Sequence, residues 1–381
     1  MTDTVQQLLR GEPQPANVAD LEAALSALWK FVAEDPAMRN AVTRASALTL
    51  MVYVESEEAA QSVTTLIAEV TRQTPCRAIL MIADPGAGPA GLTAWVSAHC
   101  HLPAAGEKQV CCEQISVRGR GDAVENFDNL VLSLTVPDLP VFLWWRAGRF
   151  APPDYFQQIL RASSRVLVDS ASFPDPAADL AQLASVVRRF SDDVTVGDLN
   201  WARMTPWREL ISQCFDAPES RRYLDRLTRV RVEYEQNSPR LAAQAAQTLL
   251  LAGWLASRLH WEPVKTAQGD GSGFRVFAFR SAQGDVQFQA QPRGFAGGGA
   301  GVCVNITLEA GGSPPAVFAL KRGADGRNAS TRLEIAGRPA IERTVRLEVF
   351  DEVELLNEEL KFSARDRIFE EALQTLARMM A

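Results

Sequence analysis

The chain has 381 residues, 39 Lys and Arg against 46 Asp and Glu, and a net charge of −7. Hydrophobic residues at 47% give enough apolar material for a sizeable core, which excludes a wholly disordered chain. The acidic balance, with no run of five Lys or Arg, argues against a nucleic-acid partner.

At about 150 residues per domain, the length predicts two or three domains. The start, MTDTVQQLLRGEPQ, has no apolar h-region, so no signal peptide is expected. The longest apolar run, Leu249 to Ala256, is far short of the roughly 20 residues that span a bilayer. A soluble cytoplasmic protein with no membrane partner is expected. The sequons at Asn305 and Asn328 then read as chance matches. Six cysteines are too sparse for a disulfide framework.

In chain order, residues 20–34 predict an amphipathic helix, with Leu21, Leu25, Leu28 and Val32 on one face and Asp20 as N-cap. SALTLMVYVES is an apolar run suited to a strand buried on both faces. A helix follows from about Glu57 to Arg72, then a second buried strand, CRAILMIAD. This β-α-β order predicts a parallel pair. LTAWVSAH and QVCCEQISV read as two further strands. Residues 121–134 look helical, LPVFLWW (139–145) is a third buried strand, 152–162 a short helix, RVLVDS (165–170) a fourth buried strand, and 175–190 a helix.

Thr205-Pro206 and Ser238-Pro239 each pair an N-cap with Pro at the first helical position. The second opens a long Ala/Leu/Gln helix ending near His260. Between them TRVRVEYEQ (228–236) alternates as a strand. From Phe274 to about Glu348, short alternating segments divided by Gly-rich turns predict an antiparallel meander. Helices close the chain, with a capping box at Ser363 and Asp366. The fold class is therefore an α/β N-terminal domain with a mixed, mainly parallel sheet, and an α+β C-terminal domain with an antiparallel meander and flanking helices. The domains are placed at 1–200 and 201–381. The second comprises a helical region at about 201–227, a sheet at about 228–350 and helices at 351–381.

GAGPAG at 86–91 fits GxGxxG, and with Glu113 it imitates a flavin-binding βαβ fingerprint, in which Glu113 holds ribose hydroxyls. Against it, Asp84-Pro85 intervenes between strand and glycines, the following segment alternates like a strand, and one βα unit precedes it. A Gly/Pro-rich loop is the plainer reading. GGGAG at 297–301 reads as a hairpin loop. His99, Cys100, His101, Cys111 and Cys112 have metal-ligand chemistry without metal-ligand spacing, so buried free cysteines are expected and no metal is assigned. No GxSxG elbow is present.

Half of the eight Trp lie between 144 and 207. Apolar strands end at Arg146 and at Asp169 and Ser170, beyond the carboxyl ends where ligands of open α/β sheets bind. DLNWARMTPWREL then brings Asp198, Asn200, Trp201, Arg203, Trp207 and Arg208 into eleven residues. Trp144 and Trp201 can be core, and Asp169 and Asp198 can cap helices. Taken together, without a His or Cys nucleophile, the set reads better as a recognition surface than as a catalytic site.

CCEQI (111–115), DLPVFLWWR (138–146), LVDSASF (167–173) and DLNWARMTPWRELISQCFD (198–216) resemble, in order and spacing, the OpcA family of glucose-6-phosphate dehydrogenase assembly proteins. The resemblance implies a non-catalytic partner of glucose-6-phosphate dehydrogenase, promoting its assembly or activating it allosterically in the oxidative pentose phosphate pathway, with no cofactor. The family motif matches at Trp144, Trp145, Arg146, Asp169, Ser170, Asp198, Asn200, Trp201, Arg203, Trp207 and Arg208, which become the candidate partner-binding residues. The family's thioredoxin-linked control is not carried over, because the second half holds only Cys214 and Cys303. Two rival readings are a nucleotide or flavin enzyme using GAGPAG, and a sugar-phosphate sensor whose Arg146, Arg203 and Arg208 hold phosphate.

Overall fold

Two unlike hydrophobic patterns build two unlike sheets. The computed structural model describes residues 12–34, 42–86, 89–101, 109–190, 194–235, 241–269, 275–293, 305–361 and 364–380. The first part contributes β1 (Gln14–Ala16), α1 (Leu21–Glu34), β2 (Val42–Arg44), β3 (Leu48–Val54), α2 (Glu57–Val70), β4 (Cys76–Asp84), β5 (Gly91–His101) and β6 (Gln109–Arg120). It continues with α3 (Phe127–Ser133), β7 (Val141–Trp145), α4 (Gln157–Ala162), β8 (Arg165–Val168), α5 (Pro176–Arg189) and β9 (Thr195–Asp198).

These strands form one mixed sheet in the order β1-β5-β6-β4-β3-β7-β8-β9, with β2 also against β6. From β6 to β9 the neighbours are parallel, while β5 and β1 are antiparallel at the edge. Chain order runs outward from β3 through β4 to β6 on one side, and through β7 and β8 to β9 on the other. The order reverses between β3 and β7, which makes the sheet doubly wound with its switch point there. Every residue of β3, β7 and β8 is buried. Both sheet faces are covered, so these strands read as continuous apolar runs. Ala60, Val63, Ile67 and Val70 of α2 cover one face.

The second part contains α6 (Leu199–Arg203), α7 (Thr205–Gln213), α8 (Pro218–Arg221), β10 (Leu227–Glu235), α9 (Leu241–Arg258), β11 (Glu262–Gly269), β12 (Arg275–Ser281) and β13 (Gly284–Arg293). Then come β14 (Asn305–Ala310), β15 (Ala316–Arg322), β16 (Asn328–Ile335), β17 (Ile341–Arg346), α10 (Glu352–Lys361) and α11 (Arg367–Met380). The second sheet has the order β11-β12-β13-β10-β14-β15-β16-β17. It is antiparallel except for the β10–β13 pair. The expected meander is thus split: β10 leaves through α9, and that crossover lets it lie parallel to β13. Along β14 burial alternates strictly, with Ile306, Leu308 and Ala310 inside and Asn305, Thr307 and Glu309 on the outer face.

Two closing helices return to the first sheet. Leu355, Leu356 and Leu360 of α10 pack in the same cluster as Leu50, Val52 and Trp144. Helix α11 packs against α5 and α9. At Gly253 of α9 an added Cβ would lie 2.4 Å from the Ala372 carbonyl oxygen, so the missing side chain is what lets α9 and α11 approach. One apolar cluster joins Met51 and Leu143 of the first sheet to Phe288 and Phe318 of the second.

Local details differ from the sequence reading. Asn17 rather than Asp20 makes the first cap, accepting the Ala19 amide. Thr205 is already helical and accepts from Arg208 instead of capping. Asp366 caps α11 through the Phe369 amide. Cys100 and Cys111 are not free: they sit opposite each other on β5 and β6 and are joined by a disulfide. The pleat explains the pairing, because directly opposed residues of antiparallel strands share a face. Cys76 and Cys112 are free and buried. Ser238-Pro239, GGGAG at 297–301, Cys303 and Ser363 lie outside the described residues. Among the described residues no helix is long and apolar enough to cross a membrane.

Candidate functional site

The carboxyl ends of β7, β8 and β9 bring most of the candidate residues together. Strand β7 ends in Trp144 and Trp145, which alternate to opposite sheet faces. Trp145 stacks on Tyr53 with centroids 4.3 Å apart and meets Phe156 edge-on at 5.2 Å. Its indole donates to the Arg149 carbonyl at 2.8 Å. Trp144 is fully buried on the α2/α10 face, with the Arg146 guanidinium 5.2 Å from its ring centre. Arg146 reaches across to Glu352 at the start of α10, Nη1 to Oε1, at 2.9 Å.

Asp169 follows β8 and takes Arg203 of α6 as a two-pronged partner, at 2.6 and 2.8 Å. This fork-to-fork geometry is the strong form of the pair. Asp198 ends β9 and has no exposed surface. It accepts the Ser170 and Asn200 backbone amides, each at 2.9 Å, and the Ser170 hydroxyl at 2.6 Å. Burial first, and the charge of Asp169 second, push its carboxyl up to about 7 despite those donors. Asn200 donates to Ser170 Oγ and accepts from Gln247 of α9 at 2.8 Å. Trp201 donates to Asp366 at 3.0 Å, and Arg208 lies 3.5 Å over its ring while donating to the Trp201 carbonyl. Burial pushes the Arg208 guanidinium down to about 10, so it stays charged at neutral pH. Trp207 is buried in the same core.

Trp144, Trp145, Ser170, Asp198, Asn200, Trp201 and Trp207 are therefore interior residues. Ser170 has no exposed surface, so its hydroxyl cannot meet a solvent-borne substrate in this conformation. Arg146, Arg203 and Arg208 each have an internal partner, and the phosphate-holding role read for them conflicts with those bonds. The network ties the strand ends of the first sheet to α9 and α10. Glu352 and Gln247 were absent from the sequence reading, and Asp366 entered it only as part of a helix cap. Also absent was Arg165 of β8, bonded to Glu359 of α10 at 2.5 Å. A lone arginine in a buried run, RVLVD, is the one available signal, since a buried charge requires a partner.

The nucleotide alternative fares differently. Ala87 and Gly88 of GAGPAG lie outside the described residues; Gly86, Pro89 and Ala90 fall between β4 and β5, and Gly91 opens a strand, not a helix. A Cβ at Gly86 or Gly91 would meet nothing within 4 Å, so neither glycine marks a close approach. Glu113 accepts from Trp29 at 2.8 Å, Arg44 at 2.8 Å and Arg77 at 2.5 Å. Burial alone would raise its pKa, but the bonds from Arg44 and Trp29 and the Arg77 charge hold it below the ordinary glutamate value. Glu113 is thus committed to the core. In doubly wound sheets the pyrophosphate sits on the first βα turn, at the helix N-terminus. Here that turn, from β3 into α2, reads Glu55-Ser56-Glu57-Glu58, all exposed, with Ser56 as cap. It has no glycine, and three carboxylates there oppose a pyrophosphate. Among the described residues no group of three His, Cys, Asp or Glu is placed to hold a metal.

The fold and network define a two-sheet protein whose doubly wound first sheet has its strand-end polar groups partnered from within. The chain belongs to the OpcA family: the model described as "Glucose-6-phosphate dehydrogenase subunit N-terminal domain" matches residues 67–185, and its C-terminal counterpart matches residues 194–373. A "Putative OxPP cycle protein OpcA" from Synechocystis sp. is 35% identical over 196 residues, which is 51% of this chain and 39% of that protein. The Nostoc punctiforme protein of the same name is 35% identical over 204 residues, 53% and 42% of the two chains. The matched region thus spans less than half of each relative. A probable oxidoreductase, yhhX, overlaps 87% of this chain and 95% of its own with a TM-score of 0.47 and 9% identity. An oxidoreductase domain protein from Kribbella flavida gives 0.46 and 12%, over the same shares. At those scores the likeness carries no argument.

Proposed function

We propose that this protein is a non-catalytic cytoplasmic partner of glucose-6-phosphate dehydrogenase that promotes its assembly and raises its activity allosterically. The family membership is the observation that carries the reading. Two features of the chain support it. The turn at the switch point is acidic where a dinucleotide enzyme needs glycines, and the Asp169, Ser170 and Asp198 groups are partnered internally instead of facing a substrate.

An activator shifts an enzyme only by binding one of its states more tightly than another. A coupling of about 1–3 kcal/mol changes substrate affinity roughly 5- to 150-fold. On this reading the Trp, Arg and Asp motif acts from inside. It divides the chain near residue 200 and then locks both parts together, with α10 returning to the first sheet, so that a rigid body meets the dehydrogenase. Mixing the purified protein with its cognate dehydrogenase tests this. Co-elution with a lowered glucose 6-phosphate KM is expected; no co-elution and no change in KM or kcat overturns it. Arg203→Ala should weaken activation through loss of rigidity while the dehydrogenase alone is unaffected.

A further inference from the structure

A cleft of about 980 Å³ opens where α5, α9 and α11 meet. Its wall holds five arginines against three carboxylates, in a protein with a net charge of −7. Two of the carboxylates are already used. Glu371 pairs with Arg258, and Glu370 pairs with Arg365.

Arg188, Arg367 and Arg378 have no carboxylate partner among the described residues. Arg188 donates one bond to Gln374 at 2.8 Å, and Arg378 one to Thr375 at 3.1 Å. Their remaining N–H groups, and all those of Arg367, have no hydrogen-bond partner among the described residues. Helix-dipole compensation accounts for Arg188 and Arg378 singly, since both lie in last turns. It does not account for their sharing one cleft. It also runs the wrong way for Arg367, a cation in the first turn of α11, where the dipole disfavours positive charge.

We propose that this cleft binds a small anion carrying at least two phosphate charges. Guanidinium groups match phosphate oxygens in a planar, two-pronged way, and a phosphate group has more oxygens than a carboxylate to share among several of them. The volume lies at the upper end of the range for small-molecule sites. The proposal is independent of the dehydrogenase reading, because the ligand is bound by this chain alone. It also moves phosphate recognition away from Arg146, Arg203 and Arg208, whose partners are internal.

Calorimetric titration of the full chain with inorganic pyrophosphate, without any dehydrogenase, tests it. One site per chain is expected, weakened at least 10-fold in Arg367→Ala and in Arg188→Ala, with the melting temperature of each variant close to that of the parent. Arg231→Ala, on the second sheet, should bind as the parent does. No binding heat, or equal affinity in the parent and in an Arg188→Ala/Arg367→Ala double variant, overturns the proposal. So does a poly-glutamate peptide that binds at the cleft where pyrophosphate does not, since the partner would then be an acidic protein segment.

Discussion

The two sheets handle arginine in opposite ways. In the first, Arg165 stands in a strand with both faces covered, 3% exposed, and its charge is held by Glu359 and the Ala364 carbonyl. In the second, Arg229 and Arg231 of β10 alternate outward, half-exposed, and reach Glu309 from an open face. The same residue type is a structural tie in one sheet and a solvated side chain in the other. Burial decides which. A doubly covered sheet leaves a charge no water, so its partner must come from elsewhere in the chain. Here that partner is 194 residues away. The polar strand ends of the first sheet follow the same rule.

The largest expected effect comes from breaking such a tie. Glu359→Ala leaves Arg165 buried with the Ala364 carbonyl but without its carboxylate, and should cost about 3–5 kcal/mol in chemical denaturation. A loss below 1 kcal/mol would mean that water reaches Arg165 and that the two sheets differ less than their burial indicates. Gly253→Ala comes next. In an unobstructed helix Ala would stabilise by about 0.5–1 kcal/mol. Here the new methyl meets the Ala372 carbonyl oxygen at 2.4 Å, so α11 must move away, at a cost of about 1–3 kcal/mol. A rise in Tm would show that the two helices cross more loosely.

The contrast also explains what could be read in advance. Strands β3, β4, β7 and β8 are visible as apolar runs because both of their faces are buried. Strand β9 is not, since TVGD offers four residues, and two of them, Gly197 and Asp198, are types depleted in strands. The alternation of β10 reveals a strand but not its neighbours, so its insertion beside β13 was beyond reach. The motif itself was legible as an unusual density of Trp, Arg and Asp. Its burial was legible only in part: Trp144 and Trp201 could be read as core and Asp169 and Asp198 as helix caps, as they are, but Trp and Arg mark interfaces and interiors alike. The deciding partners are distant: Asp366 lies 165 residues from Trp201, and Glu352 lies 206 from Arg146.

A smaller effect separates the strand-end network by pH. Asp198 titrates near 7 in the folded protein and near 4 when unfolded, so between those values the folded chain binds more protons. Its contribution is therefore complete below about pH 4 and is lost as pH rises through 7. Asp198→Asn keeps an acceptor for the Ser170 and Asn200 amides and removes the titration. Between pH 5 and 8 the variant should lose less stability than the parent, by on the order of 2 kcal/mol. Parallel pH profiles in urea melts would place the titration elsewhere.

The smallest effect belongs to the open face. Arg231→Ala removes a long bond to Gln289 at 3.4 Å and a 3.9 Å approach to Glu309, both on a surface where water replaces them. Exposed pairs of this kind contribute about 0–1 kcal/mol, so the change in stability should stay within about 0.5 kcal/mol. The value matters because Arg231 lies between Gln289 of β13 and Thr307 of β14, in the middle of the eight-stranded sheet. A central residue that can be removed without penalty marks a face the fold leaves uncovered. A loss of 2 kcal/mol or more, especially one that grows with protein concentration, would mean that this face is covered in the native protein. The two sheets would then be alike in being buried on both sides, one by its own helices and the other by a second molecule.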